Sequence, residues 1–563
     1  MNRFITIISS ICFLFFSTGV SSAGTESGAD KIYINAEIWT GEEKQPVVNA
    51  LAVRGSRILA LGSYIEMKKY IQPSTKIIDL KSAFMVPGFI DSHVHFLAGG
   101  TDFASVKLRS ATSPREFVRR MTDHVKSIPK GRWVLGGNWD HTGWGGELPH
   151  KDWIDEVTLD NPVFVRRLDG HMVLANSLAL KLAGITRDTV APKGGVIVRD
   201  KNGDPTGVLK DQAINLVANI IPTFQPKEMD EAFQAASELA LKNGITQIHD
   251  MGMDEGQDAV WNSLNVYLRA QKKHNLKLRI YSFIPLNYWK QLDKFVQKNG
   301  YGNEWLRWGG LKGFLDGSLG SATAWFKEPY LGNTENSGFP VISTKKLHDM
   351  ILGADAAKLH VAVHAIGDQA NDTLLDIFES VENKNGRRDR RFRVEHSQHL
   401  SQEAFSRFQA LNVVPSMQPY HAIDDGRWAE ELIGPDRITR TYAFRSLIDA
   451  EAPLSFGSDW FVAPLSPLQG IYAAVTRRTI DGNNPGGWVP HEKISVEEAL
   501  RAYTTNNAYA GFNESDTGTL KAGKLADFTV LSKNILLIDP SEIANVKVLR
   551  TVVGGIDQFV ITE

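Results

Sequence analysis

Val86-Pro87-Gly88-Phe89-Ile90-Asp91-Ser92-His93-Val94-His95-Phe96 is an apolar run that turns on Pro87-Gly88 and continues as a short strand into two histidines. Residues i and i+2 of a strand point to the same face. His93 and His95 can therefore present both imidazoles to one ion, and imidazole suits zinc, iron, nickel and copper. A bare His-x-His pair also occurs on solvated strand faces, so the weight falls on what the rest of the chain brings to the same place.

Outward from that stretch, eight strand candidates follow in order, at residues 89–95, 245–251, 278–284, 311–315, 361–365, 392–396, 413–417 and 454–458. Helical patterns lie between most of them, at 227–243, 344–358 and 368–382. Strands alternating with helices predict a parallel sheet with helical crossovers. Eight such units predict an α/β chain with a (β/α)8 TIM barrel over residues 87–511, its active site at the C-terminal ends of the strands. One interval breaks the rhythm. From 97 to 226 there is far more chain than one crossover needs, with strand patterns at 163–168, 195–199 and 207–210 and with Trp133, Trp139 and Trp144. This aromatic content argues against a disordered loop and predicts an inserted domain after strand one, over residues 100–226, that covers the barrel mouth. Strand-rich ends, at 31–35 and 50–53 and again at 525–531 and 546–553, predict one small β-sandwich domain built from both termini, residues 24–86 and 512–563.

Length and composition set the frame. At 563 residues the chain is too long for one compact core. A 42% hydrophobic and 22% charged composition is that of an ordinary globular protein, and a formal net charge of -2 gives no reason to expect nucleic acid. The first 23 residues differ: Arg3, an apolar run over residues 4–16, then Ser21-Ser22-Ala23. That pattern is a secretory signal peptide over residues 1–23, which predicts a periplasmic or secreted protein. Thirteen residues fall short of the ~20 a bilayer-spanning helix needs, and no later segment has the apolar length, so no membrane insertion is expected after cleavage. The only cysteine, Cys12, lies in this leader. Any metal in the mature chain must then be bound by His, Asp, Glu or something less common.

The C-terminal ends of the other strand candidates carry further polar side chains: Lys312, His364, His396 and Asp459. Singly each has an ordinary explanation, a structural histidine or a helix-capping Ser-Asp. Lys312 is harder to dismiss, because lysine is almost never fully buried unless paired. Convergence of six such residues on one rim outweighs the separate explanations.

Pro87-Gly88-Phe89-Ile90-Asp91-Ser92-His93-Val94-His95 resembles the opening signature of the amidohydrolase superfamily. Asp316-Gly317-Ser318-Leu319-Gly320-Ser321, His364-Ala365-Ile366-Gly367-Asp368, Glu395-His396 and Gly457-Ser458-Asp459-Trp460 resemble amidohydrolase family 3, the YtcJ-like branch, which includes N-substituted formamide deformylases and proteins labelled exoenzyme regulators. The resemblance spans essentially the whole mature chain. It implies that His93 and His95 bind the more buried of two divalent ions, zinc by preference, and that His364 and His396 bind the second. It implies that Lys312 is carbamylated and bridges them, and that Asp459 is a metal ligand and the general base. Whether one ion or two are bound is left open; a homodimer is the family's habit. One departure is visible: Ala322 stands where the family pattern leads us to expect arginine, which weakens any transfer of substrate from a relative.

The chemistry fits these implied roles. Divalent ions lower the pKa of bound water to about 7, and Asp459 can pass its proton to a poor amine leaving group. A free Lys312 ammonium would repel the cations. It either pairs with an acid such as Asp316 or is neutralised, ready to capture carbon dioxide. His171, in the insertion, is a further candidate for reaching the substrate; His249-Asp250, His399 and His421 are weaker ones, and Trp139, Trp325 and Trp460 either line an apolar pocket or simply pack. The leading expectation is a metal-dependent hydrolase that cleaves a C–N (amide or N-acyl) bond of a small molecule by a metal-activated hydroxide. The alternatives are a lactonase or ester hydrolase with the same site, or a non-catalytic exported binding or regulatory protein.

Overall fold

The computed structural model describes residues 28–562 apart from 104, 168–171, 194, 223, 253–259 and 321. The leader at 1–23 and His171 lie outside the described residues. Eight parallel strands run in sequence order around a barrel: β1 Phe89–Val94, β2 Ile245–Asp250, β3 Arg279–Pro285, β4 Leu306–Phe314, β5 His360–Ala365, β6 Arg393–His396, β7 Val414–Met417 and β8 Ser455–Phe456. β8 is too short to pair along β1. The seam is closed just beyond it, where His95 N–H donates to the Trp460 carbonyl and Asp459 N–H donates to the His93 carbonyl, each at 2.7 Å. Gly457 makes that approach possible: a Cβ there would lie 2.6 Å from the His93 nitrogen.

The helix Pro226–Lys242 shows why the crossovers form. Pro226 occupies its first turn, and the Glu228 carboxylate accepts from the Gln225 N–H at 2.9 Å, one half of a capping box. Ala232, Ala236 and Ala240 recur every four residues and are buried with Phe233 and Leu241; full burial of a side chain such as Phe233 stabilises by roughly 1.5–3 kcal/mol. Gly244, at φ 80°, ends the helix and turns the chain into β2.

Residues before and after the barrel join in one six-stranded sheet. Phe84–Pro87 runs antiparallel to Phe528–Leu531, with Val548–Val553 and Ile556–Val560 beyond, and Glu37–Trp39 and Val47–Val48 on the other side. A four-stranded N-terminal sheet packs Tyr33, Leu51 and Val53 against Ile38, Met85 and Phe528 of the six-stranded one. Within residues 106–211 a third sheet of six strands is built on the antiparallel hairpin Gly195–Arg199 and Pro205–Asp211. Among the described residues no helix is long and apolar enough to cross a membrane.

Candidate metal centre

Four side chains meet at the C-terminal rim. β1 aims His93 inward and the turn after it brings His95. β6 ends in His396, and the loop after β8 carries Asp459. His93 Nε2 lies 3.4 Å and His95 Nε2 3.2 Å from Asp459 Oδ1. The rings of His93 and His396 are 4.9 Å apart. One ligand atom each from His93, His396 and Asp459 lies within 4.8 Å of the others. Both His396 (φ 78°) and Asp459 (φ 58°) hold left-handed backbone, uncommon for residues with a Cβ and a sign that the surroundings impose their direction. His364, at the end of β5, packs 4.5 Å from the His396 ring, and its Nε2 is taken by the Gly317 carbonyl at 2.9 Å, which leaves Nδ1.

The histidines are aimed by a second layer of contacts. His93 Nδ1 meets Glu395 Oε2 at 2.5 Å, His396 Nδ1 meets Gln418 Oε1 at 2.8 Å, and His95 Nδ1 meets the Gly252 carbonyl at 2.9 Å. In each case Nε2 is left for an ion. Fully buried Arg393 holds Glu395 in turn, at 2.7 and 3.1 Å, and donates to Ser92 O, Ser416 Oγ and His249 Nδ1. Asp91 Oδ1 accepts from Ser458 N–H at 2.9 Å and ties β1 to the loop that carries Asp459.

Charge follows from burial. Burial, with Lys312 adding to it, holds His93 down to about 4, and burial with Lys312 holds His364 down to about 3. These imidazoles are neutral, as ligands must be. Burial raises Glu395, but Arg393 and His93 outweigh it; His93 and His95 do the same for Asp459, so both carboxyls stay well below the usual range. Lys312 is pushed down to about 8 by burial, against the pull of Glu395 and Asp459. Among the described residues its Nζ has no hydrogen-bond partner and lies over the Phe314 ring, while Asp459 Oδ1 faces the Nε2 atoms of His93 and His95. Asp316 does not pair with it: that carboxylate accepts N–H groups of Trp325, Ile366 and Gly367. Buried polar atoms left open on a nitrogen-and-oxygen donor set fit a divalent cation.

The remaining candidates separate. His421 Nε2 stands 3.8 Å from Asp459 Oδ2, beside the centre. His249 supports Arg393. His399 donates to or accepts from Thr441 and packs on Phe326, away from the cluster. Trp139 is buried in the core of residues 106–211, where its N–H donates to Val165 O; Trp460 packs on Phe96, and Trp325 against the barrel core. Arg393, Glu395 and Gln418 are absent from the sequence-based candidates. Arg393 and Glu395 sit two apart on a strand, hence on one face, and that spacing of opposite charges was the available signal.

The amidohydrolase family profile matches residues 76–556. The chain belongs to the amidohydrolase family. This amidohydrolase is 42% identical to Protein LONG AFTER FAR-RED 3 of Arabidopsis thaliana, over 94% of this chain and 91% of that protein. It is 28% identical to the N-substituted formamide deformylase of Arthrobacter pascens, over 94% and 98%. The solved structure of a metal-dependent hydrolase from Pyrococcus furiosus superposes with a TM-score of 0.74 at 29% identity, covering 90% of this chain and 99% of that one. Family and neighbours together support a metal-dependent hydrolase, with His93, His396 and Asp459 as a buried candidate site.

Proposed function

We propose that this amidohydrolase cleaves a carbon–nitrogen bond, an amide or N-acyl bond other than a peptide bond, in a small molecule. The observation that carries the reading is Asp459, buried with one carboxylate oxygen facing the Nε2 atoms of His93 at 3.4 Å and His95 at 3.2 Å. The name of the Arthrobacter relative, an N-substituted formamide deformylase, supports the bond type. The donor set suits zinc, as one ion or two, with His93 and His95 on the deeper side and His364 and His396 on the other. A divalent ion held by these residues would supply Lewis-acid chemistry, lowering the pKa of water to about 7. Asp459 takes the proton of the attacking water and delivers it to the leaving nitrogen, a service worth about 10²–10⁴-fold. The Lys312 amine captures carbon dioxide, loses a proton and becomes an anionic carbamate ligand. The terminal sheets act as a β-sandwich domain, residues 100–226 as an insertion that covers the mouth and offers His171 to the substrate, and the protein is exported after cleavage at Ala23, as a homodimer.

A panel of N-acyl amino acids, N-substituted formamides and lactones tests the reading with the zinc-loaded protein. Release of amine from the first two classes is expected. Turnover of lactones alone would reassign the bond, and turnover of none would leave a binding or regulatory protein.

A further inference from the structure

The chain leaves β7 through Gln418 into the short helix Pro419–Asp425. Pro419 opens the helix, and at its far end Asp425 accepts the Tyr442 hydroxyl at 2.5 Å, so both ends are held. Gln418 and His421 stand one turn apart, with His421 N–H donating to the Gln418 carbonyl at 3.1 Å. Side chains at that spacing are neighbours. Both reach the metal centre, at different members of it. Gln418 Oε1 meets His396 Nδ1 at 2.8 Å, and His421 Nε2 stands 3.8 Å from Asp459 Oδ2.

Position separates His421 from the candidate ligands. His93 and His95 converge on Asp459 Oδ1, whereas His421 faces the other oxygen, Oδ2. His421 also stays outside the tight group formed by His93, His396 and Asp459. Its Nε2 is buried and has no hydrogen-bond partner among the described residues. A carboxylate that gives one oxygen to an ion takes a proton on the other. The side of Asp459 that handles a proton is therefore the side His421 faces. The contact is longer than the roughly 2.7–3.2 Å of an N–H···O hydrogen bond, and catalytic hydrogen bonds are often long before substrate binds and tighten in the complex.

We propose that His421 is a positioning residue for Asp459. Its Nε2–H occupies one lone pair of Oδ2 and directs the other toward the proton that Asp459 takes from water and returns to the leaving group. The inference rests on the hydrolase reading given above, and adds a histidine that belongs to no ligand set.

A double-mutant cycle on the zinc-loaded protein tests it, with whichever substrate of the panel is turned over. His421→Phe keeps a ring and removes the donor. It should lower kcat about 10–100-fold, the scale of one hydrogen bond to a charged group, with KM and zinc content little changed. His421→Gln keeps an N–H and should retain most of the rate. In the Asp459→Asn background His421→Phe should cost no more than about twofold, because a residue that acts through Asp459 has little left to act on. Equal losses in both backgrounds, an unchanged kcat, or loss of zinc from His421→Phe would overturn the proposal. Turnover of lactones alone would sink the C–N reading, and the cycle would then be read on the lactone. A second measurement needs no turnover. Proton NMR of zinc-loaded protein, isotopically labelled on its histidine nitrogens, should show an Nε2–H resonance that is missing from His421→Gln and displaced in Asp459→Asn. Absence of that resonance, or its indifference to Asp459→Asn, would sink the positioning role even in a protein that hydrolyses nothing.

Discussion

At the N-terminal end of the barrel Arg279 opens β3 and donates to both oxygens of Asp527, at 2.6 and 3.0 Å, while its third nitrogen reaches the Glu304 carbonyl at 2.9 Å. Asp527 also accepts the Gly554 N–H at 2.7 Å, and the guanidinium lies over the Trp305 ring. At the other end Lys312 and Asp459 are as deeply buried, yet among the described residues Lys312 Nζ has no hydrogen-bond partner and Asp459 Oδ1 meets only the ion-facing nitrogens of His93 and His95. An end that only supports the fold completes its charge pairs. The end that serves a ligand keeps donors and acceptors in reserve, which costs stability there and supplies an ion with binding atoms.

Substitutions at the two ends should therefore fail in different ways. Lys312→Ala should lose bound metal and at least about 10³-fold in kcat/KM, since a lost centre forfeits several kcal/mol of transition-state stabilisation. Lys312→Arg should not recover it, because arginine stays cationic; acetate should restore part of both. Metal content beside turnover is the check, and an active, metal-loaded enzyme with an unmodified Lys312 in an electron-density map would break the contrast. Asp459→Asn should lower kcat by about 10²–10⁴-fold; turnover near that of the unmodified protein would remove Asp459 from proton transfer. Asp527→Asn, at the opposite end, should cost roughly 3–5 kcal/mol of stability by leaving Arg279 uncompensated, with kcat unchanged when assayed well below the melting temperature.

Two finer tests follow. Glu395→Gln weakens the grip on His93 Nδ1 and should reduce metal affinity about 10–100-fold, read by competition with a chelator. His360 begins β5 at the supporting end, between Tyr281 Oη at 3.1 Å and the Arg391 carbonyl at 2.8 Å, and burial holds it down to about 3. The unfolded chain takes up a proton near pH 6.5 that the folded one refuses. Stability from this group is thus complete above pH 6.5 and is lost as pH falls toward 3, by about 1.4 kcal/mol per pH unit. Urea midpoints from pH 7 to pH 4 should fall less steeply for His360→Gln than for the unmodified protein. Equal slopes would mean that His360 is protonated in the fold.

Much of the barrel is legible because strands with buried faces are long apolar runs and each rim residue follows one directly. β4 shows where that fails. Its sequence pattern places the start at residue 311, but the strand begins at Leu306. Gly309-Gly310 looks like a turn in the sequence. In the fold Gly309 (φ 112°) is carried within the strand, the register against β3 shifts between Tyr281 and Phe283, and a Cβ on Gly310 would meet the Phe283 ring at 2.5 Å. The strands Val106–Lys107 and Gly136–Trp139 escape because two residues, or two glycines in four, leave no alternation to read. At the centre, His93, His95 and Lys312 stand out because their residue types are unusual inside apolar runs. Glu395 and Arg393 do not, since their meaning lies in contacts with β1, some 300 residues away in the chain.

The seam between His93 and Asp459 has a consequence for timing. The two residues are 366 positions apart (459 minus 93). At the usual pace of synthesis, roughly 20–70 s separate the appearance of the first from that of the second. Until Asp459 arrives, the Nε2 atoms of His93 and His95 have no carboxylate beside them, and a chain that stops short of residue 459 never acquires one. A firmly held ion is thus a sign that synthesis has passed residue 459, and the fraction of protein carrying metal reports chain length to that point as well as occupied sites.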